Sequence, residues 1–298
     1  MFVIKYRKIF YAFSIIISAA AVYGMFTYGL KLGIDFTGGA NLEVVFTEAP
    51  DTEAIKSRVD TLGLGEYTLR PTGGNGVILR SRDLSEPERA SLVAAVSGED
   101  KGAVVKEFDS VGPILGEELQ AKALWSIIFV ILAIVLFITF AFRKVSKPVA
   151  SWKYGLVAIV SLIHDIVFPL GAFIFLGHFY GIEIDALFIT AILVVLGFSV
   201  HDTIVVFDRT RENLQKEGSR KPFDQIVGDS ISQTFGRSIN TSLTTLIALV
   251  VLYLVGPEAT RNFSLALLIG ISAGVYSSIF IGSPLLVTLE KLQSKRSK

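Results

Sequence analysis

Residues 184–213 read IDALFITAILVVLGFSVHDTIVVFDRTREN, and this stretch sets the class of the whole chain. From Ile184 to Phe207 it is almost wholly apolar and long enough to cross a bilayer, which takes ~20 residues at ~1.5 Å rise each. Ser199, His201, Asp202 and Thr203 stand inside the run, which then breaks into the charged FDRTREN. Asp202 comes six residues before Asp208, on the order of 9 Å inside the point where charges first meet water. A carboxylate at that depth costs ~2.5–3.5 kcal/mol on insertion scales, so it should face a partner, a cavity or a proton path rather than lipid. The plain structural alternative is a carboxylate that joins helices by hydrogen bonds.

Composition agrees with a membrane protein: of 298 residues 51% are hydrophobic and 18% charged, with a mean hydropathy of +0.58. The chain has no cysteine, which excludes disulfides, cysteine-ligated zinc and thiol catalysis. Six apolar runs are legible, at 9–30, 123–142, 154–176, 184–207, 238–256 and 263–288. The first is too long for a signal-peptide core and reads as a membrane anchor. Basic residues crowd the N-terminus, the 143–153 connection (Arg143, Lys144, Lys147, Lys153), the 209–237 connection and the tail (Lys291, Lys295, Arg296, Lys298). The alternate connections are poor in them, so the charge rule puts both termini in the cytoplasm. The resulting division is a cytoplasmic N-terminus and first span at 1–31, an extracytoplasmic domain at 32–120, five further spans at 121–290 and a basic tail at 291–298.

The external segment carries 16 Asp and Glu against 8 Lys and Arg between Asp35 and Glu118. Asn41–Thr47 alternates like a strand, and Asp51 caps a run with Ala54, Ile55, Val59 and Leu62 at helical spacing. Tyr67–Arg70 and Val77–Arg80 flank Gly73-Gly74-Asn75-Gly76, a hairpin signal. Ser85-Glu86-Pro87-Glu88 opens a second helix with capping-box spacing, and Val104–Phe108 closes the set. The order β-α-β-β-α-β is that of a small ferredoxin-like α+β domain between the first and second of six transmembrane helices.

Several residues carry possible chemistry. Gly33, Asp35, Gly38 and Gly39, in GIDFTGG, read as a fixed turn where the first span meets the external domain. No Gly-Lys-Ser/Thr follows, so nucleotide binding is rejected. His164 and Asp165 lie roughly 15 Å deep in the third span, ahead of Pro169, which should kink that helix. They form either a titratable pair or a hydrogen-bonded helix contact. In the fifth span Arg237, Asn240, Thr241, Thr244 and Ala248 share one face, with Ser242 and Thr245 broadening it. An arginine near a buried carboxylate favours its ionised form, and withdrawal of that cation favours proton uptake. Asp202, Arg237, Asp165, His164, Thr203 and Thr241 are therefore the expected proton pathway, with a static ion pair as the competing reading. Gly270 and Gly274, in GISAG, form a close-packing GxxxG pattern followed by Tyr276-Ser277-Ser278. No metal site is expected, because His164-Asp165 and His201-Asp202 are adjacent pairs whose members point about 100° apart, and no HExxH occurs. The basic residues Arg209, Arg211, Lys216, Arg220 and Lys221 read as a loop for anionic lipid or a cytoplasmic partner, not for nucleic acid.

GIDFTGG at 33–39, HD at 164–165, GFSVHDTIVVFDRTREN at 197–213, QTFGRSINTSLTTL at 233–246 and GISAGVYSSIFIGSPLL at 270–286 resemble the SecF members of the SecD/SecF family of bacterial protein-export membrane subunits. These motifs run in order along almost the whole chain. The resemblance implies membership of the resistance-nodulation-division superfamily and an accessory role beside the SecYEG channel. It implies a SecD partner, unfolded exported polypeptides as clients, the bacterial inner membrane as location, and protons as the coupling ion, with no cofactor and no covalent catalysis. Asp202, Arg237 and Asp165 match the family's acidic residue of span 4, arginine of span 5 and His-Asp pair of span 3; His201 stands where asparagine is more usual. A proton-coupled small-molecule or lipid exporter of the same superfamily and a non-transporting scaffold are the rival readings, the first opposed by the short external segment.

Overall fold

The computed structural model describes residues 2–98, 100, 102–143, 150–217 and 220–296. Lys144 and Lys147 of the second basic connection, and Lys298 of the tail, lie outside the described residues. The chain separates into two compact units: Met1–Lys31 with Trp125–Lys298, and Leu32–Leu124.

In chain order, a short helix α1 (Phe2–Lys5) precedes α2 (Arg7–Tyr28), the first span. A single helical turn, α3 (Ile34–Thr37), then leads into β1 (Gly39–Val45). Next come α4 (Thr52–Asp60), the hairpin β2 (Thr68–Thr72) and β3 (Gly76–Ser81), α5 (Glu86–Ser97) and β4 (Val104–Val111). The strands form one antiparallel sheet in the order β2-β3-β1-β4, with a bulge in β1–β4 pairing between Glu43 and Val44. This is the expected β-α-β-β-α-β unit. Leu42 and Val44 of β1 and Val77 and Leu79 of β3 pack with Ile55 and Val59 of α4 and Leu92 and Val96 of α5, so the helices cover one sheet face. Asp51 caps α4 by accepting from the backbone N–H groups of Glu53 and Ala54, and Ser85 with Glu88 forms the capping box of α5. The GIDFTGG segment supplies the turn: Gly38 and Gly39 have φ of +72° and +124°. A Cβ on Gly38 would stand 2.9 Å from the Cα of Pro113, and one on Gly39 would stand 2.7 Å from the Ser81 carbonyl.

The five remaining spans are α6 (Pro113–Ala141), α7 (Ser151–Tyr180), α8 (Ala186–Glu217), α9 (Phe223–Val255) and a composite sixth span. That sixth span joins α10 (Arg261–Ser277) to α11 (Ser283–Arg296) through a π-helical turn, Ser278–Gly282. Pro169 lies inside α7, which is helical on both sides of it. Within the membrane unit α10 packs on α7, α8 and α9, and α2 packs on α7. A Cβ on Gly270 would meet Val195 Cγ2 at 2.4 Å, and one on Gly274 would meet Ser199 Cβ at 2.9 Å, so the GxxxG pattern lets α10 lie directly on α8. At the ends of α8 and α9, charges find partners close by. Arg211 pairs with Asp208, Lys216 with Glu212, and Lys221 with both Glu217 and Asp229. These pairs lie on the surface, in the connection expected to meet anionic lipid or a cytoplasmic partner.

Candidate functional site

Span 3, span 4 and the middle of span 6 meet at a fully buried polar cluster. Asp165 on α7 is 0% exposed. Its Oδ2 accepts from Ser199 Oγ of α8 at 2.5 Å and from Ser277 Oγ of α10 at 2.9 Å, and His164 Nδ1 lies 3.1 Å from its Oδ1. One carboxylate thus ties three helices together with neutral donors and an imidazole. The His164 ring also faces Tyr276, and Tyr276 Oη donates to the Phe10 carbonyl of α2. One turn along α8, Thr203 Oγ1 and Ser278 Oγ are 2.8 Å apart, and Ser278 Oγ donates to the Ser199 carbonyl at 3.2 Å. With Ser278 spending its proton there, Thr203 is the donor of the pair. Ser277 and Ser278 both have α-helical backbone, and as adjacent residues about 100° apart around the helix they reach α7 and α8 together.

Asp202 has different surroundings. It is 3% exposed, and its Oδ2 accepts from Ser242 Oγ of α9 at a long 3.3 Å. Ser238, one turn earlier on α9, is also buried, and its hydroxyl has no hydrogen-bond partner among the described residues. Arg237 and His201 are placed to act on the carboxylate through space, yet among the described residues neither forms a direct ion pair with it. Both are exposed.

The expected pathway residues therefore divide. His164 and Asp165 come together with Ser199 and Ser277, and Thr203 joins the same cluster through Ser278. Asp202 sits against Ser238 and Ser242. Arg237, Asn240, Thr241 and Thr244 lie on the outer surface of α9, exposed. The stripe read from spacing is real, but α8 receives the neighbouring face. The serines were the residues that sequence reasoning undervalued; the Ser238-x-x-x-Ser242 spacing was the available signal. Among the described residues no group of His, Cys, Asp and Glu is arranged to hold a metal.

The chain matches the family description "Protein export membrane protein SecD/SecF, C-terminal" over residues 92–292 and "SecD/SecF GG Motif" over residues 23–50. The protein translocase subunit SecF of Thermobaculum terrenum is 41% identical over 301 residues, which cover 97% of this chain and 93% of that protein. That of Sebaldella termitidis is 35% identical, with 97% and 92% covered. The protein translocase subunit SecDF of Bacillus subtilis is 34% identical over 93% of this chain, but this chain spans 36% of its length. A crystal structure of SecDF from Thermus thermophilus, a translocon-associated membrane protein, superposes with a TM-score of 0.83 at 30% identity, covering 97% of this chain and 38% of that one. On these matches the chain belongs to the SecD/SecF family of protein-export membrane proteins, as a multi-pass translocase subunit with an accessory role in Sec-dependent export.

Proposed function

We propose that the chain pairs with a SecD subunit and uses the proton gradient to help the SecYEG channel translocate unfolded chains and release them at the outer face of the inner membrane. The observation that carries this reading is Asp202: a carboxylate sealed inside apolar spans, held by one long hydrogen bond, with an arginine near but not locked to it. Such a group can exchange a proton without dismantling the bundle, whereas a carboxylate saturated by donors serves poorly as a carrier. Arg237, on the exposed side of α9, is free of the geometry that would pin it to Asp202, so approach and withdrawal of the cation remain available as the switch.

The exposed polar stripe of Arg237, Asn240, Thr241 and Thr244 supports the partner. Polar side chains on the outside of a membrane helix are costly against lipid and favourable against another helix or a hydrated seam. SecD is the partner named together with SecF in the longer relatives. Both termini are assigned to the cytoplasm and residues 32–120 to the outer side by the distribution of lysine and arginine. No cofactor and no covalent step are required; the work is delivered by movement.

The test is secretion of a Sec-dependent reporter by cells carrying Asp202→Asn. The expected result is loss of gradient-dependent export, by tenfold or more, with the variant still inserted and still recovered with its partner. Unchanged export would end the proton reading. Lost recovery of the complex would instead give Asp202 an assembly role.

A further inference from the structure

The two edges of the external sheet are built differently. At one edge β2 is five residues long and contains Pro71, which lacks a backbone donor and so blocks an incoming strand. At the other edge β4 is eight residues long, has no proline, and pairs on one side only, with β1. Val104 and Val105 at its start are 62% and 39% exposed.

The side chains along β4 discriminate among possible neighbours. In register, Glu107 faces Glu43 of β1 and Asp109 faces Asn41, which puts both acids on the sheet face opposite the helices. Like charges directly across a strand pair repel. The bulge residue Lys106 answers one of them, its Nζ lying 2.7 Å from Glu43. Strands β1 and β4 together still carry three carboxylates, Glu43, Glu107 and Asp109, against that single ammonium. The carboxyl of Glu107 is accordingly held above the usual range, first by burial and then by the charges of Asp109 and Glu43. A second copy of β4 would bring acid against acid, so this edge is protected from pairing with itself but not from pairing with a basic strand.

We propose that the outer edge of β4 accepts an extended polypeptide segment as a fifth strand, with lysine or arginine at alternate positions opposite Glu107 and Asp109. Backbone pairing supplies affinity for any unfolded chain without proline, and the alternating cations supply the preference. The export reading enters only in naming the source, a chain that emerges unfolded; the edge and its charge pattern stand without it.

The probe is a fluorescent octapeptide of alternating Lys and Val, offered to the full chain in nanodiscs, with its Glu-Val counterpart as control. Lys-Val should bind and Glu-Val should not. N-methylation at alternate residues should abolish binding in one register and spare it in the other, since only one set of N–H groups points at β4. Glu107→Lys together with Asp109→Lys should weaken Lys-Val binding by about tenfold or more and bring in Glu-Val. Absence of Lys-Val binding, equal effects of the two N-methylated peptides, or unchanged preference in the charge-reversed protein would each overturn the proposal. Because the N-methylation arm uses the unaltered chain, it does not depend on a variant that folds. None of these outcomes bears on Asp202→Asn, so failure here and failure of the proton reading are told apart.

Discussion

Asp165 and Asp202 are both acids buried in apolar helices, and their neighbours set them apart. Asp165 receives two hydroxyls and an imidazole; Asp202 receives one distant hydroxyl. Asparagine at 165 would keep one acceptor oxygen and turn an amide N–H group toward donors, leaving buried groups unsatisfied. The expected cost is about 1–3 kcal/mol of stability, read as a lowered melting temperature in detergent. Asp202→Asn should cost less than about 1 kcal/mol in the same measurement, because so little is bonded there. Equal losses would contradict this division of roles. Both acids were legible in the sequence, since a charge inside an apolar run is conspicuous. Ser199, Ser277 and Ser278 were not, because a serine in a membrane helix bonds its own backbone cheaply and its spacing does not say which helix it will meet.

Among the elements, α9 shows where periodicity stops being informative. Two polar stripes run along it about 100° apart, Arg237-Thr241-Thr244 and Ser238-Ser242, and the sequence offers no means of choosing which one faces α8. Packing chooses the serines because they are small. The GxxxG pattern of α10, by contrast, was readable and does what such spacing implies. Gly274→Val would drive a methyl group into Ser199 and with it the donor to Asp165, at an expected cost of about 1–3 kcal/mol in thermal unfolding. The α+β domain is legible almost element by element, because alternation, Asp51, the glycine hairpin and the Ser85 box are local signals. Its β4 extends past Phe108 to Val111, since pairing with β1 retains polar residues that pattern alone would release. At α5, hydrogen bonds from Arg82 and then Ser85 hold the Glu88 carboxyl at about 2, below its ordinary 4.5. A depressed carboxylate stabilises the fold fully above its unfolded value, and that contribution fades as pH falls from about 4.5 toward 2. Glu88→Gln should flatten this part of the melting temperature's pH dependence, measured between pH 5 and 3.

For the whole molecule, the absence of cysteine is useful, because any thiol introduced is the only one present. Thr244→Cys, on the exposed stripe of α9, should form a cross-link to a cysteine placed in the membrane helices of the partner, whereas Leu92→Cys, sealed in the core of the α+β domain, should not. A Thr244 thiol that reacts only with lipid-phase reagents, never with the partner, would remove that stripe from the interface. The π turn at Ser278–Gly282 bears on the molecule as a whole too. Such a turn holds one residue more than an α-helical turn, so the two halves of span 6 are indexed out of phase by about 100°, like a screw cut with a skipped thread. Were the turn to rewind, Ser283 would lose its bond to the Ser278 carbonyl and Thr288 would swing away from Tyr11 of the first span. A local change beside the acid cluster would thereby be geared, through rotation instead of translation, to the helix that leads out of the bilayer.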